Sequence, residues 1–319
     1  MLQYSLFILV IGSVKSSSQH VSLRLSVCGT SKAPVNDHDK PGKGGYAAFL
    51  HPNQEETYLM RIISVNTNGI RAAARKGFFE WMKKQNPDVV CIQETKAQEH
   101  QLGDPVFSPD GYRSYFHDAQ KKGYSGVAIY TRHEPDQVHH GIGWEVMDYE
   151  GRWLRADFGN LSVISLYLQS GSSKEERQQI KYQTMDYLQP LFKAMVAEGR
   201  EYIICGDWNI AHKNIDIKNW RGNQKNSGFL PEERAWMDEL FGPVGMVDTF
   251  RQVESGEDQY TWWSNRGQAW ANNTGWRIDY HIATPGVASK ARAVDIYKEE
   301  RFSDHAPLTI DYDYDIETK

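Results

Sequence analysis

Six segments of the chain each carry, at the edge of an apolar run, a side chain able to exchange a proton or hold an ion. Residues 202–209 (YIICGDWN) stop at Asp207 and, two residues on, at Asn209. Residues 61–66 (RIISVN) stop at Asn66, 88–94 (DVVCIQE) at Glu94 and 161–167 (LSVISLY) at Tyr167. Later, 277–280 (RIDY) carries Asp279, and 302–305 (FSDH) carries Asp304 and His305. An ionised carboxylate ending a buried strand needs a partner, because an unpaired buried charge is costly. Ligand and catalytic groups of α/β sheets collect outside strand ends, where loops vary while strands hold position. Taken singly, each group has a bland reading: Asp207 a cap for the next turn, His305 a surface histidine, Tyr167 a strand tyrosine with a satisfied hydroxyl, Asn66 with Asn68 and Gly69 a turn. Six in one chain make a site.

The elements that must position these groups follow from periodicity. Residues 202–205 are apolar without interruption and bounded by Gly206, which reads as a strand buried on both faces. Residues 72–84 place Phe78, Phe79, Trp81 and Met82 at helical spacing before Asn86-Pro87 closes the helix. Residues 126–131 (GVAIYT), 153–158 (WLRADF) and 161–167 read as antiparallel neighbours. Residues 174–198 form a long amphipathic helix, interrupted or bent at Pro190. Residues 210–229 show no hydrophobic period, and a polar connection near twenty residues long tends to be functional. Residues 231–240 begin a helix with Pro231 at its first position. Strands resume over 260–263, 276–283, 291–297 and 307–312. Strand-helix-strand order early and hairpins late predict an α/β fold of two sheets packed face to face under outer helices.

The 319 residues, 40% hydrophobic and 12% aromatic, suit a globular fold. A net charge of -5 gives no global basic excess, so binding to a polyanion must come from a local patch. Cys28, Cys91 and Cys205 have no paired spacing and read as reduced residues of an intracellular, cytoplasmic protein. Residues 1–59 differ in character from the remainder of the chain. Residues 6–14 (LFILVIGSV) are long enough for a signal-peptide core, yet no Lys or Arg precedes them and they are too short to span a bilayer. A targeting leader is one reading of 1–59; a disordered or spuriously translated extension, with Met60 a natural start, is the preferred one.

From residue 60 to about 314 the chain resembles exodeoxyribonuclease III and the apurinic/apyrimidinic (AP) endonucleases of the endonuclease/exonuclease/phosphatase superfamily. SVNTNGIR, IQETK, GDWNI, NSGFLPEERAW, GWRIDY and FSDHAPL occur in family order. NSGFLPEER with GWRIDY points to the DNA-repair branch and away from the lipid and inositol phosphatases. The resemblance implies a four-layer α/β sandwich with two mixed sheets at its centre, a catalytic domain over 60–319, and a monomer acting on double-stranded DNA at abasic or 3'-blocked ends, with no membrane role.

The same resemblance implies that the family's metal-binding glutamate falls on Glu94, with Asn66 and Asp304 beside it and Asp207, Asn209 and His305 completing the possible ligands. Oxygen donors without a thiolate suit Mg2+, with Mn2+ possible. The active-site pair falls on Asp207 and Asn209, the phosphate-facing tyrosine on Tyr167, and the histidine-aspartate pair on His305 and Asp279. Family members commonly carry a proline and then Gln or Asn after that tyrosine, whereas this chain reads Leu168, Gln169, Ser170. For substrate binding the expected groups are Asn68, Arg221, Asn223, Asn226, Trp262 and Trp276, with Lys225, Asn265, Arg266 and Arg277 nearby. The two tryptophans are expected to wall a pocket too small for an intact nucleotide but open to a base-free sugar. The implied activity is hydrolysis 5' to an abasic site with 3'-to-5' exonuclease and 3'-phosphatase side activities. A phosphatase or lipid phosphodiesterase on the same fold, and a DNA-binding protein that has lost catalysis, are the alternatives.

Overall fold

The computed structural model describes residues 59–316. The leader over 1–59, but for its last residue, and Cys28 with it, lies outside the described residues. In chain order the strands are β1 (Met60–Asn66), β2 (Val89–Gln93), β3 (Arg113–His117), β4 (Val127–Thr131), β5 (Gln137–His140), β6 (Trp153–Phe158), β7 (Leu161–Tyr167), β8 (Glu201–Asp207), β9 (Val247–Asp248), β10 (Trp262–Trp263), β11 (Gly275–Trp276), β12 (Asp279–Ala283), β13 (Ala291–Ile296) and β14 (Leu308–Tyr312). The helices are α1 (Ile70–Arg75), α2 (Phe78–Gln85), α3 (Glu145–Tyr149), α4 (Glu175–Glu198), α5 (Trp220–Asn223), α6 (Pro231–Phe241), α7 (Thr249–Val253) and α8 (Pro285–Ala288).

Two six-stranded mixed sheets, ordered β13-β14-β1-β2-β4-β3 and β5-β6-β7-β8-β12-β9, face each other. Each has one parallel pair at its centre, β1/β2 in the first and β7/β8 in the second, with antiparallel pairs on either side. The space between them is filled by Ile62, Val89, Cys91 and Ile129 from one sheet against Leu154, Val163, Ile203 and Cys205 from the other. Both cysteines are free and buried, as expected. α4 and α6 cover the outer face of the second sheet through Leu188, Phe192, Trp236 and Met237, while α1 and α2 cover the first through Ile70, Phe79 and Met82. Each such aliphatic or aromatic side chain contributes roughly 1.5–3 kcal/mol when fully buried. Among the described residues no helix is long and apolar enough to cross a membrane.

Several sequence expectations change. The helix over 72–84 is two helices, because Gly77 takes a left-handed φ of 86° and breaks the register. Residues 126–131 do not pair with β6; β4 pairs with β2 and β3 in the first sheet, and the chain crosses to the second sheet only after it, on the way to β5. β3 and β5 lack an apolar alternation strong enough to mark them. α4 runs unbroken through Pro190, which lies on its exposed side where water can satisfy the carbonyl of Asp186. Residues 210–229 contain a 3-10 turn at Asn214–Asp216 as well as α5, and although no period marks the segment, Ala211, Ile217 and Phe229 are buried in a small cluster against which Trp220 packs.

Candidate active site

The parallel pairs β1/β2 and β7/β8 end at one place, and the polar groups gather there. Asn66 and Asp207 are the last residues of β1 and β8, Tyr167 ends β7, and Glu94 follows β2 by one residue. Asp279 and His305 arrive differently from the expectation of strand ends. Asp279 is the first residue of β12, paired opposite Asp207, and His305 lies in the loop before β14. Antiparallel strands start where their neighbours finish, so both still reach the same mouth. Gly206 makes the approach of β7 and β8 possible: a Cβ there would meet the carbonyl oxygen of Leu166 at 2.0 Å.

Asn66 ties the two sheets together, its Nδ2 donating to Glu94 Oε1 at 2.8 Å and to Asp207 Oδ2 at 2.9 Å. Beneath it, Gln93 Nε2 donates to Ser165 Oγ at 3.1 Å, a second bond between sheets. Asn209 donates its backbone N–H to Asp207 Oδ1 (2.9 Å) and its Nδ2 to the carbonyl of Leu168 (2.8 Å). His305 Nδ1 lies 2.9 Å from Asp279 Oδ2, and its Nε2 faces Asp207 at 3.9 Å. Asn68 Nδ2 and Trp262 Nε1 donate to the two oxygens of Asp304 at 2.9 and 3.2 Å. Asn68, Glu94 and Asn209 all have left-handed φ, from 45° to 51°, a conformation uncommon outside glycine and enriched where side chains are aimed for function.

Burial pushes Asp207 up to about 7, with Asp279 and Glu94 adding to it and His305 and the Asn66 bond opposing. For His305, burial pushes down, but Asp279, then Asp207 and Asp304, outweigh it and raise the imidazole to about 10. Tyr167 rises because it is buried beside Glu94, with Arg152 opposing. Glu94 is lowered: burial works against its charge, and Lys96, 2.6 Å from its Oε2, outweighs that. The imidazole is therefore held as a cation between carboxylates.

Asp207, Asp279 and His305, all buried, offer ligand atoms within 4.8 Å of one another. With Glu94 and Asp304 the mouth holds four carboxylates against the charges of Lys96 and His305. A divalent ion fits that excess of negative charge, and the donors are oxygens of the kind hard cations prefer.

The cleft beside the mouth has a volume of about 780 Å3 and is lined by Trp262, Trp276, Asn209, Asn226 and the loop from Ser170, with Lys174, Lys225 and Arg266 supplying positive charge. It is larger than the pocket the sequence suggested, within the roughly 300–1,000 Å3 range of ligand sites, because two loops extend it beyond the tryptophans. Asn226 donates to Asn223 at 2.7 Å, whereas Arg221 stacks on Trp220 at 4.4 Å and lies outside the cleft lining. Gln169 is buried against Thr184 and Ile180, leaving Ser170 and Gly171 to face the cleft. Trp263 is core, and Arg277 is 1% exposed, locked by Asp216 and Asp248 instead of facing solvent.

Three residues at the site escaped the sequence reading. Lys96, within IQETK, bridges Glu94 and Asn68. Arg152 lies 4.4 Å from the centre of the Tyr167 ring. Lys181 donates to the carbonyl of Asn209 at 2.8 Å. Adjacency to a motif could have flagged Lys96; nothing in the local sequence marks the other two.

Comparison with known proteins places this arrangement. A profile of the endonuclease/exonuclease/phosphatase family matches residues 63–305. An exodeoxyribonuclease of Bacillus subtilis is 37% identical over 255 residues, covering 79% of this chain and 98% of the relative. The DNA repair nuclease APEX1 of Danio rerio is 33% identical, covering 85% and 91%. An AP endonuclease from Archaeoglobus fulgidus superposes with a TM-score of 0.72 at 28% identity over 80% of this chain and all of its own. A Neisseria 3' phosphatase bound to a product DNA hairpin superposes with a TM-score of 0.72 at 25% identity, over the same shares.

Proposed function

The chain belongs to the endonuclease/exonuclease/phosphatase family, and on that premise we propose that it is a divalent-metal-dependent DNA-repair nuclease acting on double-stranded DNA as a monomer. It hydrolyses the phosphodiester 5' to an abasic site, with 3'-to-5' exonuclease and 3'-phosphatase side activities. The observation that carries this reading is the meeting of Asn66, Glu94, Asp207, Asp279 and His305 beside a cleft walled by Trp262 and Trp276.

Asp207 orients and deprotonates the attacking water, and Asn209, fixed to its carboxylate, holds that water in line. Tyr167 donates to a phosphate oxygen, while Asn66, whose Nδ2 is committed to Glu94 and Asp207, holds those two carboxylates in place. His305, kept charged and oriented by Asp279, donates from Nε2 to the phosphate. Glu94 and Asp304 would hold Mg2+ or Mn2+, with Asn66, Asp207 and Asn209 as further ligands, whereas His305, held as a cation, has no free lone pair for the ion; the ion would supply positive charge to the phosphoryl and leaving oxygens. Trp262 and Trp276 receive the base-free sugar, while Asn68, Arg221, Asn223 and Asn226 meet the flanking backbone.

The test is a gel assay of purified protein on a duplex with one abasic site. Incision with Mg2+, its loss in EDTA and its return with excess Mg2+ are expected. An intact abasic duplex alongside hydrolysis of a phosphoinositide or sphingomyelin would overturn the assignment.

A further inference from the structure

Behind the cleft lies a pair of charges that the proposed chemistry does not use. Lys181 on α4 and Glu233, the third residue of α6, are both 0% exposed, and Lys181 Nζ donates to Glu233 Oε1 at 2.6 Å. Two buried charges are a poor source of stability, because an apolar pair of similar volume is often as stable or more so. The partners of the pair suggest another reason for it. Lys181 Nζ also donates to the carbonyl of Asn209, at 2.8 Å. Asn209 is thereby held at three points: its N–H on Asp207, its amide on Leu168 and its carbonyl on Lys181.

Glu233 holds the other side. Its Oε2 accepts from the N–H of Gly228 (2.6 Å) and of Leu230 (3.0 Å), both of which line the cleft. Gln178 Nε2 adds a bond to its Oε1 at 3.1 Å. Gly228, at a φ of 91°, accepts from Ala211 N at 2.8 Å, and a Cβ on it would lie 3.0 Å from the Asn209 carbonyl oxygen. The turn after β8 and the cleft wall thus share one buried anchor.

We propose that Lys181 and Glu233 are positioning residues that lock the cleft wall to the turn carrying Asp207 and Asn209, Lys181 governing turnover and Glu233 governing substrate affinity. This rests on the reading of the site as a phosphodiesterase acting through Asp207. Without Lys181 the Asn209 peptide loses its third anchor, and a misplacement of 1 Å in such a group can cost on the order of 10²-fold in rate.

The experiment is steady-state incision of the abasic duplex by the full chain, with Tm measured in parallel. Lys181→Met is expected to lower kcat by about 10- to 100-fold with KM within about threefold, while Glu233→Gln raises KM by about tenfold with kcat within about threefold. Lys181→Arg, which keeps the charge and the donors, recovers most of kcat. The double variant Lys181→Met/Glu233→Gln removes the buried charge and regains stability, yet keeps the low kcat. Phe79→Leu, in the core beneath α2, reports what loss of stability alone does to the kinetics. The inference fails if kcat and KM move together in both single variants, if they track Tm as Phe79→Leu does, or if the double variant turns over like wild type. Absence of incision by the wild-type chain overturns the nuclease reading and the inference with it. Wild-type incision with unchanged variant ratios overturns the inference alone.

Discussion

Replacing Arg277 by methionine is expected to destabilise the fold and to leave affinity for DNA unchanged. Arg277 sits in GWRIDY two residues before Asp279, among groups that read as substrate contacts, but its guanidinium is committed elsewhere. Nε donates to Asp216 Oδ1 at 2.8 Å, and Nη2 and Nη1 take the two oxygens of Asp248 at 2.7 and 3.2 Å. Burial pushes the Asp216 carboxyl up, yet Arg277 first and Arg251 next hold it down to about 2. Against an ordinary value of 3.8 this amounts to roughly 2 kcal/mol. Its folded-state pKa is depressed, so this stability is present above about pH 3.8 and is lost as pH falls through about 2.

Removing the guanidinium strands the half-buried Asp248 carboxylate and leaves the buried Asp216 with Arg251 alone. Breaking a buried pair from one side costs roughly 3–5 kcal/mol. For a domain of this size each kcal/mol lowers Tm by about 2–4 °C, so a drop of roughly 10 °C is expected. Protonation relieves stranded carboxylates, and the gap to wild type should therefore narrow between about pH 7 and about pH 4. Urea unfolding at those two values measures the gap, and anisotropy of a labelled abasic duplex against salt measures binding. An unchanged Tm together with a salt slope shallower by about 0.9 would make Arg277 a phosphate contact and refute the reasoning.

Three further outcomes are expected. Asp207→Asn should collapse turnover while abasic-duplex binding stays near wild type; unchanged turnover would remove Asp207 from the chemistry. Asp279→Asn keeps an acceptor for His305 Nδ1 but removes the charge that best opposes its burial. The raised His305 pKa contributes stability that is complete below about 6.5 and lost as pH rises through about 10, so the urea-midpoint gap between this variant and wild type should be wider near pH 6 than near pH 10. An equal gap at both values would mean that His305 is not held charged. Deletion of residues 1–59 should leave incision and Tm unaltered, since the family profile begins at residue 63; a clear loss of either would assign the leader a role in the catalytic unit.

The sequence carries the strands well where both faces are buried, as in β2 and β8, because a short unbroken apolar run between polar or glycine residues suits a strand covered on each side. It does not say which sheet a strand joins. β4 reads like β6, and only the path of the loops decides that one pairs with β2 and the other with β7. The site residues that come after strands were legible as a recurring polar ending. Asp279 and His305 were legible only as members of that series, since the place of Asp279 at the start of β12 and of His305 in the loop before β14 depends on antiparallel pairing. Arg277 and Lys181 show the limit most clearly. A charged residue near a motif looks like a contact, and a charged residue on an amphipathic helix looks like solvent-facing surface, until distant partners such as Asp248 and Glu233 are known.

The bond from Asn66 to both Glu94 and Asp207 has a mechanical consequence. Each half of the reactive mouth rides on its own ladder, and neither ladder must break for the halves to separate. A slide of less than an ångström between the opposed layers would stretch that amide past hydrogen-bonding range while circular dichroism saw nothing. Heating should then silence incision some degrees before ellipticity falls, so that enzymatic output serves as a vernier on how tightly the two layers are seated.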